Sequence, residues 1–498
     1  MRLAALILLA CAPAVAQAHT FGRLYTLPVP FWLYAFGATG ALLLSFLAAG
    51  YFMGMGMGMG MGMGARVAPA SSSGISLEGS RVLALLRRLR VPQILQWLSV
   101  AMLLLTIAAG LFGNRDPLRN ISMTAFWIVF MLGVTYATVL AGNFYAWLNP
   151  WRVLTGAVTR VVPGYGCGWR VYPQALDVWP ALALYLALVW IELCLRGTPF
   201  SLGLMLAAYT LLNFAGVWLL GSAAWFRHCE VFSVFFTRVA MLAPVDYRAA
   251  EAPGGHSTLR LRPAGAGALD ERPERLASVI FVLAMLASTA YDGLRETHSW
   301  FLLFWHDPLG IITPLVGELP VRAFEAALPW YHAWDTLGLL AAPFLYFGLY
   351  ALSLVLARAL TRTQRPLREL LLDFAYPLLP IALAYNAAHY FTLLIDQGPK
   401  MLSLVSDPFG YGWDLFGTTD RFRAAYLPDL TWVWHVQVLL ILAGHVAAVM
   451  LAHRVALRVF PSRTQALASQ APMLVLMVVF TISGLWILAQ PLTATMIR

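Results

Sequence analysis

Long apolar runs recur along the whole chain, and they constrain the fold more than any other feature of the sequence. A helix needs about 20 apolar residues to cross a hydrocarbon core of ~30 Å. Because lipid offers no hydrogen bonds to an exposed backbone, runs of this kind must be helical. The sequence therefore predicts an all-α, polytopic membrane bundle of about ten helices. The ten runs are residues 29–52, 94–113, 122–141, 175–195, 203–224, 275–294, 333–358, 371–395, 430–453 and 471–491.

Composition excludes the class of soluble proteins. Only 11% of the 498 residues are charged and 60% are hydrophobic, whereas soluble domains carry about 25% charged residues. The net charge of +10 would suit a nucleic-acid partner, but all except one of the 33 basic residues are Arg, and they lie in short loops between apolar runs. This placement indicates membrane topology. We expect a lipid bilayer as partner, with no nucleic acid, and consider a second membrane subunit as a further partner.

The distribution of basic residues also predicts an orientation. With a secreted amino terminus, 22 basic residues fall in inner loops and 10 in outer positions. Inner loops of membrane proteins are enriched in Lys and Arg. The sequence therefore predicts a multi-pass protein of the bacterial inner membrane, with both termini in the periplasm.

The first 18 residues have the pattern of a cleaved signal peptide. Arg2 provides a basic start, an apolar stretch follows, and Ala16-Gln17-Ala18 is a cleavage site of the A-x-A type. Cleavage there would leave His19 as the first residue. Residues 8–11 loosely resemble a lipoprotein box, which is the alternative interpretation of this segment.

Residues 19–498 are predicted to form a single transmembrane helical domain with two longer inner loops. The first loop, residues 53–93, begins with six tandem Met-Gly pairs. The second, residues 249–272, is rich in Gly, Pro and Arg. Low-complexity and polar compositions of this kind cannot bury a packed core, so both loops are predicted to be solvated linkers.

Ionisable residues at membrane depth are costly and therefore indicate function. Counted at 1.5 Å per residue, His389 lies about 10 Å and His435 about 7 Å from the outer boundary of their spans. Asp292, Asp335 and His332 reach a similar level from other helices. Imidazole and carboxylate groups together are the ligands that Zn or a similar divalent ion prefers. The five residues are therefore predicted metal ligands, and His389, His435 and Asp292 are the predicted catalytic residues around a metal-bound water.

Other interpretations of the same residues stay open. Each His could instead form a hydrogen bond between helices, or lie in an aromatic belt at the membrane surface. His445, in the middle of its span, could bind a haem or a neighbouring helix. His19 with its free amino group would form a chelate suited to copper. Glu192 and Glu230, near the ends of apolar runs, are interpreted as side chains that snorkel to water.

Several motifs resemble a family of bacterial polytopic membrane proteins whose members often carry the name fenitrothion hydrolase. They include RDPLRN at residues 115–120 and SDPFG at residues 406–410. The resemblance spans nearly the whole chain, although the Met-Gly repeat lies outside the shared pattern. The other matching segments are residues 19–23, 27–33, 148–152, 291–293, 388–390, 412–418, 443–445 and 451–453.

The resemblance implies cleavage of the P–O aryl bond of an organophosphorus triester. Soluble enzymes for this reaction generally hold divalent metals with His and Asp, which is compatible with the predicted ligands. The sequence therefore predicts a membrane-bound triester hydrolase with a metal site that faces the periplasm. The alternatives are a membrane protein that handles copper or haem without hydrolysis, and a small-molecule transporter.

Overall fold

The predicted all-α architecture is confirmed by the computed structural model of the chain. The structure describes residues 29–56, 75–76, 80–195, 197–248, 258–421 and 429–490. In these ranges the chain is mainly helical, and its strands form one sheet of three short strands. The predicted signal peptide, His19 and most of the Met-Gly repeat lie outside the described residues.

The helices follow one another with short connections. In chain order they are α1 (Phe31–Gly56), α2 (Arg81–Arg88), α3 (Val91–Phe112), α4 (Ile121–Ala141), α5 (Tyr145–Leu148), α6 (Pro150–Val161), α7 (Trp179–Cys194), α8 (Pro199–Leu220), α9 (222–229), α10 (Val231–Leu242), α11 (Ala266–Asp270), α12 (Leu276–Arg295), α13 (His298–Trp305), α14 (Thr313–Val316), α15 (Phe324–Thr361), α16 (Leu367–Asp373), α17 (Tyr376–His389), α18 (Phe391–Gln397), α19 (Lys400–Leu404), α20 (Leu430–Val459) and α21 (Arg463–Ala489).

All ten predicted runs form helices. Among the described residues, eight helices are long and apolar enough to cross a bilayer, namely α1, α3, α4, α8, α12, α15, α20 and α21. Helices α16 and α17, which meet at a bend of 41°, are together long and apolar enough to form a broken span or a re-entrant loop. The remaining run is α7, whose 16 residues give a length of about 24 Å. These apolar helices place the chain in a lipid bilayer.

The short helix α7 runs parallel to α12 along most of its length. Ahead of α7, Asp177 accepts a hydrogen bond from Ser278 at the start of α12, with an O–O distance of 3.0 Å. At the other end, the Arg295 guanidinium donates to the carbonyl oxygen of Leu193. Contacts at both ends indicate that α7 spans the same depth as α12.

Two predicted boundaries differ from the structure. The run 371–395 is not one helix, because the chain breaks between α16 and α17 and resumes in a turn that contains Pro377, which has no amide hydrogen to donate. The run 333–358 belongs to α15, which has 38 residues and is about 57 Å long. Helix α15 therefore extends well beyond the hydrocarbon core.

The projecting part of α15 packs with α13 and α14 into a small lobe, named here the α13–α15 lobe. Its core contains Phe304, Trp305, Ile312 and Ala327, all buried. Asp307, in the loop after α13, accepts hydrogen bonds from the amides of residues 311–313 and from the Thr313 hydroxyl. This carboxylate organises the loop between α13 and α14.

The prediction of a solvated linker over residues 249–272 is wrong for its described part. Strand β3 (Thr258–Leu261) pairs in antiparallel fashion with β1 (Ile75–Ser76) and β2 (Val245–Arg248), so that β3 is central. The following helix α11 is buried rather than solvated. Helix α11 can be buried because its residues are small and allow close packing. A Cβ on Gly267, for example, would lie only 2.8 Å from the Met241 carbonyl oxygen.

Helix α12 lies at the centre of the bundle. Its apolar window is 94% buried, whereas the windows of the other seven single helices that could cross a bilayer are each less than half buried. It packs against α7, α15 and α17. The α12 sequence is rich in Ala, Ser and Thr, and small residues allow helices in a membrane to approach closely. The side chains of α12 consequently face protein rather than lipid.

Candidate functional site

A cavity lies beside α12, inside the helix bundle. It has an empty volume of about 750 Å³, open space at its mouth included. Helices α4, α7, α10, α12 and α17 provide its walls, together with Tyr390 and Leu393 just after α17. Apolar side chains form most of the surface, and they include Trp127, Met131, Leu188, Phe235, Met285 and Leu383.

Polar side chains of α7, α12 and α17 also face the cavity, and they form hydrogen bonds with one another and with Tyr136 of α4. The Tyr136 hydroxyl donates to Asn386 Oδ1 at 2.9 Å, and Asn386 Nδ2 donates to Thr289 Oγ1 at 3.3 Å. Tyr185 and Ser288 share a hydrogen bond of 2.9 Å between their hydroxyls. These contacts connect α4, α7, α12 and α17 at the cavity wall.

Two of the predicted site residues, Asp292 and His389, lie in direct contact next to this network. His389 Nε2 is 2.9 Å from Asp292 Oδ2, and the Tyr390 hydroxyl donates to the same oxygen at 2.9 Å. Asp292 is only 4% exposed. Tyr390 also lines the cavity, so a chain of hydrogen bonds leads from the cavity through Asp292 to His389.

The second nitrogen of His389 is available for proton transfer. Nδ1 is buried and has no hydrogen-bond partner among the described residues. It lies beside Gly293, where a Cβ would be 3.6 Å away. In the tautomer that donates from Nε2 to Asp292, Nδ1 is an acceptor. The pair therefore has the arrangement of a general base that is oriented by a carboxylate.

Glu192 is a site residue that the sequence interpretation missed. Its side chain lines the cavity and lies close enough to Asp292 for the two charges to interact. It forms no hydrogen bond with the described residues. The snorkelling interpretation is thus wrong for Glu192. The criterion that selected Asp292, an ionisable group within an apolar run, would have selected Glu192 as well.

Glu230 does not snorkel either, and it has a structural role. It is fully buried and caps α10, accepting hydrogen bonds from the amides of Phe232 and Ser233 at 3.2 and 2.7 Å. The Tyr209 hydroxyl donates to it at 2.6 Å, and Asn149 Nδ2 donates at 3.0 Å. A carboxylate with four donors is satisfied where it lies.

Asp335 is paired with a cation rather than with His389. The Arg295 guanidinium lies 3.3 Å from Asp335 Oδ2, and the Trp300 indole donates to Oδ1 at 3.1 Å. The Tyr291 hydroxyl donates to the Asp335 carbonyl oxygen at 2.8 Å. These contacts join α12, α13 and α15, and the ion pair explains how a carboxylate is tolerated at this depth.

His332 and His435 are both exposed, and the structure does not bring them to the His389–Asp292 pair. His435 Nδ1 contacts the Thr431 carbonyl oxygen at 2.6 Å, one turn earlier on α20. Within the described ranges, no group of three or more His, Cys, Asp or Glu side chains is placed to share a metal ion. Metal binding by His389 and Asp292 stays a prediction.

His445 lies apart from the cavity wall. It is 2% exposed, and its Nδ1 contacts the Ile441 carbonyl oxygen at 2.9 Å. Its Nε2 is buried without a partner in the described part of the chain. The neighbouring Gly444 packs directly against α17, since a Cβ there would lie 2.3 Å from Ala384 Cβ. Haem binding or an interhelical role for His445 stays a prediction.

Comparison with known proteins adds no relative from which a role could be transferred. No protein-family model, no curated protein and no solved structure matches this sequence. The functional assignment therefore depends on the cavity and on the polar side chains that line it.

Proposed function

We propose that the chain is a transporter of the bacterial inner membrane, which moves a small organic molecule through the cavity in exchange for protons. Its orientation follows from the excess of Arg in the predicted inner loops, which puts both termini in the periplasm. The Glu192 and Asp292 ends of α7 and α12 then lie towards the periplasm. The cavity would open to the two sides of the membrane in turn.

One observation carries this proposal, namely a buried acid–base chain at the wall of a cavity in the bundle. Glu192 faces the cavity, and Tyr390 connects the cavity to Asp292 and His389. Chains of carboxylate and imidazole groups inside membrane proteins carry protons in pumps and transporters. The other charged group near Asp292 is Arg295, one turn further along α12 and engaged by Asp335. Asp292 and His389 can therefore exchange a proton while Arg295 keeps its partner.

Irregular helices around the cavity support a protein that changes shape. Helix α4 contains 11 residues of π-helix, Thr124–Val134, which provide Trp127, Met131 and Leu132 to the wall. Helix α17 also lines the cavity, and it begins at the bend with α16. Transporters place substrate sites at discontinuous helices, and π-helical segments are frequent at functional sites.

Access of the cavity from both sides of the membrane tests transport without knowledge of the substrate. We would introduce Leu383→Cys into a variant in which the four native Cys are replaced by Ser. Right-side-out and inside-out vesicles would be treated with a membrane-impermeant thiol reagent. A transporter predicts labelling of this Cys in both kinds of vesicle.

The exposed residue Glu318 provides the matched control. Glu318→Cys in the same background should react in only one kind of vesicle, which shows that the vesicles are sealed and oriented. Labelling of Leu383→Cys from a single side would contradict transport and would indicate a pocket with one fixed opening.

Triester hydrolysis is the second candidate, and the formation of the His389–Asp292 pair favours it. The pair could orient and deprotonate a water, and the apolar wall suits an aryl triester. If Zn were bound, His389 and Asp292 would be two of its ligands, and the metal would lower the pKa of a bound water. Membranes that contain the protein should then release nitrophenol from a chromogenic triester, and His389→Ala should abolish the release. No release above control membranes, with Zn added and without chelator, would exclude this candidate.

A further inference from the structure

We propose that the transported molecule is a lipophilic organic cation, and that it binds at Glu192 in place of a proton. This inference rests on the proposed transport function and specifies its substrate. The site consists of Glu192 together with the aromatic side chains Trp127, Tyr185, Phe235 and Tyr390, all of which line the cavity.

The charge of the cavity selects for a cation. Glu192 is the one carboxyl group of the described lining, which contains no Lys, Arg or His. Asp292 adds a second negative group behind Tyr390. The nearby Arg295 guanidinium is engaged elsewhere, since it pairs with Asp335. An anion would meet no compensating charge in this cavity, and a buried charge without a partner is strongly unfavourable.

The wall of the cavity selects for an organic cation over a metal ion. Hard cations such as Ca²⁺ take 6–8 oxygen ligands, and the wall is built mainly from aromatic, Leu, Val and Met side chains. Aromatic faces attract desolvated organic cations.

Proton exchange follows from competition at a single carboxyl group. When the cation binds, Glu192 releases its proton, and when the cation leaves, Glu192 takes up a proton again. The titratable groups that face Glu192 are Asp292 of α12, Tyr185 of its own helix and Tyr390 after α17. The proton that Glu192 releases leaves through the mouth of the cavity on the side from which the cation enters, and the proton that replaces the cation is taken up from the other side. One proton would then cross the membrane in the direction opposite to one monovalent cation.

Uptake of tetraphenylphosphonium by proteoliposomes tests this inference. The full-length protein would be reconstituted with a pH gradient, the membrane potential clamped at zero, and protein-free liposomes as background. We expect gradient-dependent uptake that the neutral compound triphenylphosphine oxide does not inhibit. Binding of the cation should be at least about tenfold tighter than that of the neutral compound, which corresponds to ~1.4 kcal/mol.

Two matched variants separate the role of Glu192 from general damage. Glu192→Gln should abolish both the uptake and the preference for the cation, whereas Glu318→Gln, the same change on an exposed loop, should leave both intact. Glu192→Asp keeps the charge and should retain part of the uptake. If Glu192→Gln does not fold, the preference of the unmodified protein for the cation over the neutral compound still decides the question.

The outcomes distinguish this inference from the transport function itself. Equal binding of the cation and the neutral compound, with Leu383→Cys still labelled from both sides, would overturn the cation but leave transport standing. Preferential binding of the cation with labelling from one side only would overturn transport and leave a cation-binding pocket. Uptake that is unchanged in Glu192→Gln would overturn the assignment of Glu192.

Discussion

At the scale of single residues, the acidic groups inside the bundle differ in how completely their neighbours satisfy them. Asp335 is paired with Arg295 and also accepts from Trp300. Asp292 Oδ2 accepts a hydrogen bond from the Tyr390 hydroxyl and also contacts His389 Nε2. Glu192 faces the cavity and has no hydrogen bond to the described residues. A fully paired group stabilises the fold, whereas a group left open to a cavity is free to bind and release a ligand.

Neutral substitutions at two of these residues should therefore have different effects on stability. Asp335→Asn leaves the Arg295 guanidinium without its counter-charge and should cost about 3 kcal/mol. Glu192→Gln removes no ion pair and should cost less than ~1 kcal/mol. The melting temperatures of the purified variants in the same detergent measure the difference. Equal losses of stability would contradict the distinction between the two carboxylates.

The loop of the α13–α15 lobe should depend on pH through Asp307. Burial alone would raise the pKa of this carboxyl, but hydrogen bonds from the Thr313 hydroxyl and from the amides of residues 311–313 lower it to about 2. Because the folded-state pKa is depressed, the stabilisation is fully present above the unfolded value of about 3.9 and is lost as the pH falls towards 2.

Hydrogen exchange of this loop measures the effect. The amides of residues 311–313 should be protected at pH 5 and should lose protection, relative to other loop amides, as the pH is lowered through 3. In Asp307→Asn the same amides should be less protected at pH 5 and should show no such step. A step of equal size in the variant would assign the pH dependence to another group.

At the scale of helices, close packing depends on particular glycines. Helices α3 and α8 approach each other at Gly110 and Gly203, where a Cβ on Gly110 would lie 2.6 Å from the Pro199 carbonyl oxygen and 2.9 Å from Gly203 Cα. Small residues at such crossings allow van der Waals contact between backbones, which drives helix association in lipid. Gly37 on α1, by contrast, has no atom within 4 Å of its Cβ position.

Substitution of these two glycines by the same residue should show the difference. Gly110→Leu forces two backbones apart and should cost at least about 2 kcal/mol. Gly37→Leu adds a side chain in open space and should leave the stability nearly unchanged. Melting temperature and the yield of folded protein in detergent report both effects. If both variants changed the stability by the same amount, close contact at the α3–α8 crossing would not be what makes Gly110 important.

At the scale of the whole molecule, the topology depends on whether α7 crosses the membrane. Cys167 precedes α7 and Glu318 follows α12, and both are exposed. If α7, α8 and α12 all cross, the two positions lie on opposite sides, whereas omission of α7 would put them on the same side. The parallel contacts of α7 and α12 support a crossing.

Labelling of two single-Cys proteins tests this topology. One protein retains only Cys167, and the other carries Glu318→Cys in the background without native Cys. With an impermeant thiol reagent, we expect Cys167 to react only in inside-out vesicles and Glu318→Cys only in right-side-out vesicles. Reaction of both in the same kind of vesicle would reduce the number of crossings and reverse the orientation of the carboxyl-terminal half.

Much of the fold follows from the sequence alone, because hydropathy and backbone hydrogen bonding act locally. An apolar run in lipid has to be helical, so all ten runs were predicted as helices, and only details such as the break before Pro377 were missed. The buried helix α11 was predicted as a solvated loop, since its Gly and Ala residues pack through neighbours that are distant in the sequence.

The candidate site was predicted only in part, and the reason is again one of distance along the chain. Hydropathy and residue type selected Asp292 and His389 as unusual at membrane depth. Their contact joins residues 97 positions apart, and Glu192, from a third helix, faces the same cavity. His435 and Asp335 have equally polar side chains, yet helix packing directs one to the surface and the other to Arg295. The sequence thus determined which polar groups enter the membrane, whereas tertiary packing decided which of them meet, because helix rotation and contact depend on side chains from several distant segments at once.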